Sequence, residues 1–93
     1  MTTELILLPV ADEQRDALLA LLHEADGTLF TRPASTGLRT LVRADDGAVL
    51  AVVEWASKEA HDTAAASEEL QTFFGRVAAL ASGPPRIEFY DPA

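Results

Sequence analysis

AVLAVVEWASKEAH, residues 48–61, decides the fold. Successive side chains of a strand point to opposite faces. Read that way, one face carries Val49, Ala51, Val53 and Trp55, and the other Leu50, Val52 and Glu54. Trp55, the chain's single tryptophan, ends the strand, and Ser57 can then cap a short helix over residues 58–65. The same doubling recurs in ELILLPV, residues 4–10, where Leu5 and Leu7 oppose Ile6 and Leu8. That run is too short for a helix and reads as a strand, with Pro9 in its last part. An antiparallel sheet with one wetted face shows polar residues at alternate positions. Here both faces are apolar, and in so short a chain helices can cover one of them. The expected cover for the other is a second copy of the same sheet, in a two-fold symmetric dimer.

The elements outside these strands follow from periodicity and breakers. Leu18, Leu21, Leu22 and Ala25 repeat at helical spacing. Asp12 is the expected N-cap, Glu13 suits the positive helix start, and Gly27 is the expected left-handed stop. Residues 28–37 read as a loop punctuated by Pro33 and Gly37. LRTLVR (38–43) then alternates as a strand, and Asp45-Asp46-Gly47 predicts a hairpin into AVLAVVEW. Ser67 is the expected cap of a longer helix with Leu70, Phe73, Phe74, Val77 and Leu80 on one stripe, stopped by Gly83-Pro84-Pro85. RIEFY (86–90) forms a last strand. The order β-α-β-β-α-α-β, without repeat or linker, predicts one α+β domain over residues 1–93. The arrangement is ferredoxin-like: a four-stranded antiparallel sheet with helices on one face.

Composition sets bounds on function. The chain has 93 residues, 48% of them hydrophobic, more than a small monomer readily hides, which points to self-association. Fifteen acidic against seven basic residues give a net charge of −8. No Lys/Arg cluster exists to displace counterions, so nucleic acid and anionic membrane surfaces are not expected partners. With no cysteine, disulfides and thiolate metal sites are excluded. MTTELILLPVADEQ lacks the basic start of a signal peptide, and no run reaches the roughly 20 apolar residues of a membrane span. The expected location is cytoplasmic.

Trp55 at the strand end, then Ser57, Glu59 and Ala60, then Ser67 and the pair Phe73-Phe74, resembles the antibiotic biosynthesis monooxygenase domain family of the dimeric α/β-barrel group. The resemblance extends over essentially the whole chain in length and element order. It implies a homodimer with two sheets packed face to face, and a cavity in each protomer between sheet and helices. It further implies oxidation of a flat phenolic, anthrone-like or quinol-like molecule by O2 without metal, flavin or haem; the alternative is a non-catalytic homodimer of the same fold that binds a small apolar molecule or is purely structural. In that chemistry an electron-rich anion passes an electron to O2, while the protein supplies orientation, a dry cavity and charge stabilisation. Haem degradation, known among some relatives, is disfavoured because the chain has no asparagine. Val53 also stands where many relatives carry a carboxylate, two residues before the Trp.

Candidate residues follow, each with an ordinary alternative. Trp55, with Ala51 and Val53 on its face, can wall a cavity for a flat molecule, or simply seal the core. His61, on the helix after Trp55, can act as a base or lie exposed. Arg39 and Arg43 can steady an anion or pair with acids at the sheet edge. Tyr90 can donate its hydroxyl or pack. Thr31, Arg32 and Ser35 can lid a cavity from their loop. His23 suits the negative end of the first helix. Glu54, Glu59 and His61 do not form a metal set, since strand and helix positions diverge. Gln14 and Gln71, the remaining amides, fall on helices.

Overall fold

The computed structural model describes residues 1–30 and 35–93. Its elements are β1 (Thr2–Leu8), α1 (Asp12–Asp26), β2 (Ser35–Val42), β3 (Val49–Trp55), α2 (Lys58–Ala65), α3 (Glu68–Leu80) and β4 (Arg86–Tyr90). The strands form one antiparallel sheet in the order β2-β3-β1-β4, the ferredoxin-like arrangement. All three helices lie on one face. Among the described residues, no helix is long and apolar enough to cross a membrane.

Local chemistry explains most boundaries. The Ser57 and Ser67 hydroxyls accept from the amides of Ala60 (3.0 Å) and Leu70 (3.2 Å), so both helices start where a capping oxygen meets free N–H groups. The β2–β3 turn closes through Arg43 N–H to Ala48 O (2.8 Å) and Gly47 N–H to Arg43 O (2.9 Å), with Gly47 at φ +76°. A side chain at that φ is strained, and a Cβ there would run into the Arg15 guanidinium.

Several boundaries differ from the sequence expectations. β1 starts at Thr2, because Thr2 and Thr3 pair with Trp55 and Glu54, and it stops at Leu8 before Pro9, which has no N–H to donate. Asp12 is the first helical residue of α1. Ala11 precedes it with no side-chain cap, and the Asp12 carboxylate instead accepts from Arg15 (2.7 Å). Gly27 is right-handed (φ −87°); the helix ends as the amides of Thr28, Leu29 and Phe30 converge on the Ala25 carbonyl. β2 already begins at Ser35, with a register irregularity before Leu38, whose amide donates to Asp26 Oδ1 (2.7 Å). Thr31 and Arg32 of the expected lid lie outside the described residues.

The core fills the space between sheet and helices. Ile6, Leu8, Val49, Ala51, Val53 and Trp55 come from the sheet, Leu18, Leu21, Leu22 and Ala25 from α1, and Leu70, Phe73 and Val77 from α3. Phe74 and Leu80 of the α3 stripe are partly buried against it. The opposite sheet face carries Leu5, Leu7, Leu50 and Val52, half-buried, beside exposed Leu41 and Tyr90. Both faces of the sheet are therefore apolar at their centres, as the alternation predicts.

Candidate functional site

A cavity of about 330 Å³ lies between the sheet and helices α2 and α3. Its walls are apolar: Ile6, Leu8, Ala51 and Ile87 from the sheet, Leu22 from α1, Phe30 and Leu38 beside them, and Phe73, Phe74 and Val77 from α3. Ala78, Pro85 and Ile87 are exposed, so the opening runs between α3 and β4. Among the described residues, the polar ones that line it are Glu4 and His61.

Glu4 is the residue that sequence reasoning missed. It occupies the β1 parity of Ile6 and Leu8 and therefore points inward, 2% exposed. Pairing register sets it between Val53 of β3 and Phe89 of β4, diagonal to Trp55. Its Oε1 accepts from the Trp55 indole N–H at 3.0 Å, and its Oε2 lies 3.5 Å from His61 Nε2. A buried carboxylate persists only when its oxygens are matched; Trp55 supplies that match from the end of β3. The strand therefore ends in tryptophan because a flat, nearly unexposed ring both closes the core and fixes the acid. The sequence signal was available: a charged residue at an inward position of an apolar strand.

His61 reaches the cavity from α2, with its side chain 14% exposed. Its Nδ1 is 2.9 Å from Asp62 Oδ1, which also accepts from Lys58 Nζ at 2.6 Å. The Lys58 and His61 hydrogen bonds hold the Asp62 carboxyl below the usual carboxylate range. Against an ionised carboxylate Nδ1 is the donor, and the ring presents Nε2 to Glu4. Lys58 also sits over the Phe89 ring, 4.6 Å from its centroid. Edge-on ring contacts link Phe73, Phe30, Trp55, His61 and Phe89, with centroids 4.7–5.9 Å apart, and Phe74 tilts against Phe73. α2 itself buries no residue fully, so these contacts hold it to the sheet.

The other candidate positions fall in three places. Ala51 lines the cavity, whereas Val53 and Trp55 lie behind the wall, both essentially unexposed. Arg39, Arg43 and Tyr90 do not reach the cavity. Arg39 pairs with Val52 and Tyr90 with Thr3, which places both on the opposite sheet face. Arg43, at the hairpin, is paired through two hydrogen bonds with Asp46 (2.9 and 2.6 Å) and holds that carboxyl well below the usual range. His23 bonds Thr40 on the exterior at 3.0 Å. Among the described residues, no group of three His, Cys, Asp or Glu side chains is arranged to hold a metal.

No family model and no curated protein matches the sequence. Solved structures do. Rv0793 from Mycobacterium tuberculosis superposes with a TM-score of 0.85 at 18% identity, over 99% of this chain and 94% of that one. An antibiotic biosynthesis monooxygenase superposes at 0.84 with 19% identity, over 100% and 99%. This chain has the antibiotic biosynthesis monooxygenase fold. The monooxygenase from ActVA-Orf6 of Streptomyces coelicolor, solved with nanaomycin D, also shares it, at 0.83 and 18% identity over 99% of this chain and 87% of that one. Glu4 is the direct cross-strand partner of Val53.

Proposed function

We propose that this chain is a cofactor-independent oxygenase for a flat phenolic, anthrone-like or quinol-like molecule. The observation that carries the reading is the convergence of Glu4 and His61 on a cavity whose other described lining residues are apolar. At about 330 Å³ its size suits a small aromatic molecule. Apolar walls exclude water and leave the two polar groups to set orientation. The paired carboxylate and imidazole remove a proton from a substrate hydroxyl or enol. The resulting anion passes one electron to O2, and the radical pair joins to form a C–O bond. The peroxide takes the proton back; its O–O bond then breaks as the remaining hydrogen on that carbon leaves in water. For an anthrone, one methylene becomes a carbonyl while one O2 is consumed and one water released.

A specific observation favours a second reading. Among the described residues, no cationic or amide side chain lines the cavity to steady the anion. A binder of apolar aromatic molecules without turnover is the alternative. Oxygen uptake across a panel of anthrones and hydroquinones separates the two: turnover with at least one supports the oxygenase, and binding without uptake supports the binder.

The same reading includes a homodimer through the outer sheet face. Leu5, Leu7, Leu41, Leu50 and Val52 supply its apolar centre. Arg39, Arg86, Glu54 and Glu88 bring both signs of charge to that face, as a self-complementary two-fold contact requires.

A further inference from the structure

The three helices are held to the sheet in different ways. α1 buries Leu18, Leu21, Leu22 and Ala25, and α3 buries Leu70, Phe73 and Val77. α2 buries none of its residues fully. Its half-buried side is Ala60, His61, Ala64 and Ala65, and an alanine methyl removes far less apolar surface from water than a leucine or phenylalanine. Among the described residues, the stronger grip on α2 comes from His61 and Lys58. The imidazole stands edge-on between Trp55 (5.3 Å) and Phe89 (4.7 Å), with Nε2 3.5 Å from Glu4 Oε2. Lys58 Nζ lies 4.6 Å from the Phe89 centroid, so one ring of β4 meets both side chains. The far end of the cavity is tied down more firmly. There Ser82 N–H donates to Pro9 O at 2.9 Å, and Pro84 and Pro85 fix the backbone leading into β4.

We infer that α2 is a lid over the polar end of the cavity, latched by Phe89, and that it carries His61 away from Glu4 when it lifts. Glu4 stays behind, because its strand is paired on both sides and its Oε1 holds the Trp55 N–H. The caps leave the helix separable: the Ser57 hydroxyl caps α2 itself, whereas that of Ser67 caps α3. Ser67 N–H donates to Ala64 O at 3.0 Å, which makes the C-terminal end of α2 the pivot. A helix of eight residues does not persist alone in water, so α2 loses its internal hydrogen bonds each time it leaves the sheet. Closure then assembles the two polar groups around whatever has entered. The lid serves turnover and simple binding alike, and so stands apart from the oxygenase reading.

The test uses the intact chain without a ligand. Native-state hydrogen exchange should show the α2 amides exchanging about tenfold or more faster than the inner amides of α1 and α3. Phe89→Leu, which removes the ring that both latch side chains touch, should speed α2 exchange by about a further tenfold and leave α1 unchanged. Trp55 is the single tryptophan and lies unexposed against His61, so its fluorescence reads the opening directly. Acrylamide quenching of Trp55 should rise in the same variant. If Phe89→Leu does not fold, Lys58→Ala, at an exposed position, should move both readouts in the same direction. Equal protection of α2 and α3, or a Phe89→Leu effect spread evenly over all three helices, overturns the lid. Faster α2 exchange with unchanged Trp55 quenching overturns it too, since the helix then frays without uncovering the polar end of the cavity.

Discussion

Trp55→Phe is the perturbation whose cost the structure determines most fully. Phenylalanine keeps most of the aromatic surface but removes the N–H that Glu4 Oε1 accepts at 3.0 Å. Both partners are nearly unexposed, 1% and 2%, so water does not replace the donor. A hydrogen bond to a charged group contributes about 1.5–3 kcal/mol, and the missing pyrrole ring adds roughly 1 kcal/mol of packing loss. The variant should therefore lose about 2.5–4 kcal/mol, a large share of the ~5–15 kcal/mol available to a small domain. The decisive comparison is a double-mutant cycle with Glu4→Leu. Removing the acid as well removes the orphaned carboxylate, so the double variant should be less destabilised than the sum of the single ones by about 1–2 kcal/mol. The assay is urea unfolding followed by far-UV circular dichroism at one protein concentration, since any self-association links stability to concentration. Additivity within about 0.5 kcal/mol would refute the claim that Trp55 exists at that position to hold Glu4.

Other consequences are testable in the same way. Gly47→Ala forces a side chain into φ +76° and against Arg15, and should cost about 1 kcal/mol or more in thermal or urea unfolding; an unchanged midpoint contradicts the turn geometry. Asp62 and Asp46 have carboxyls lowered in the fold, Asp62 first by its hydrogen bond from Lys58 and Asp46 first by that from Arg43. A lowered carboxyl stabilises the fold above its unfolded value, about 3.9, and the contribution disappears as pH falls through the lower folded value. NMR titration should therefore place both midpoints below that of an unstructured aspartate, with Asp46 the lower, and ordinary midpoints would contradict the pairings. Leu50→Asp or Val52→Asp should convert a dimer to monomer in light scattering, and a dimer persisting in both rejects the outer sheet face as the contact.

Element order was legible because each local signal agreed with the fold. Ser57 and Ser67 cap where a hydroxyl can reach free amides, and the Asp-Asp-Gly turn sets Val42 opposite Val49, from which the rest of the β2–β3 register follows. The doubly apolar strands showed in alternation alone. An error arose where a side chain had a nearer partner than the one expected: Asp12 turned to Arg15 rather than capping α1, whereas Arg43 pairs with Asp46, the acid pairing that was one of its two expected roles. The site was harder to read. Glu4 reads as the polar start of a strand until register, a contact between residues about fifty positions apart, sets it beside Trp55. Tyr90 and Arg39 bear the right chemistry but the wrong parity, since alternation along β4 and β2 turns them to the outer face. His61 was legible as a residue and not as a partner, because its chemistry depends on Asp62 behind it and Glu4 in front.

The most direct measurement is the initial rate of oxygen uptake with the best-turned-over anthrone or hydroquinone, compared between the native chain and Glu4→Gln in a variant shown to be folded by circular dichroism. The account predicts a loss of roughly a hundredfold, the contribution of a positioned base, with far less change in ligand affinity for an anthrone than in rate. An undiminished rate in the Gln variant would contradict it, and would place the chemistry somewhere other than the buried acid behind the apolar walls.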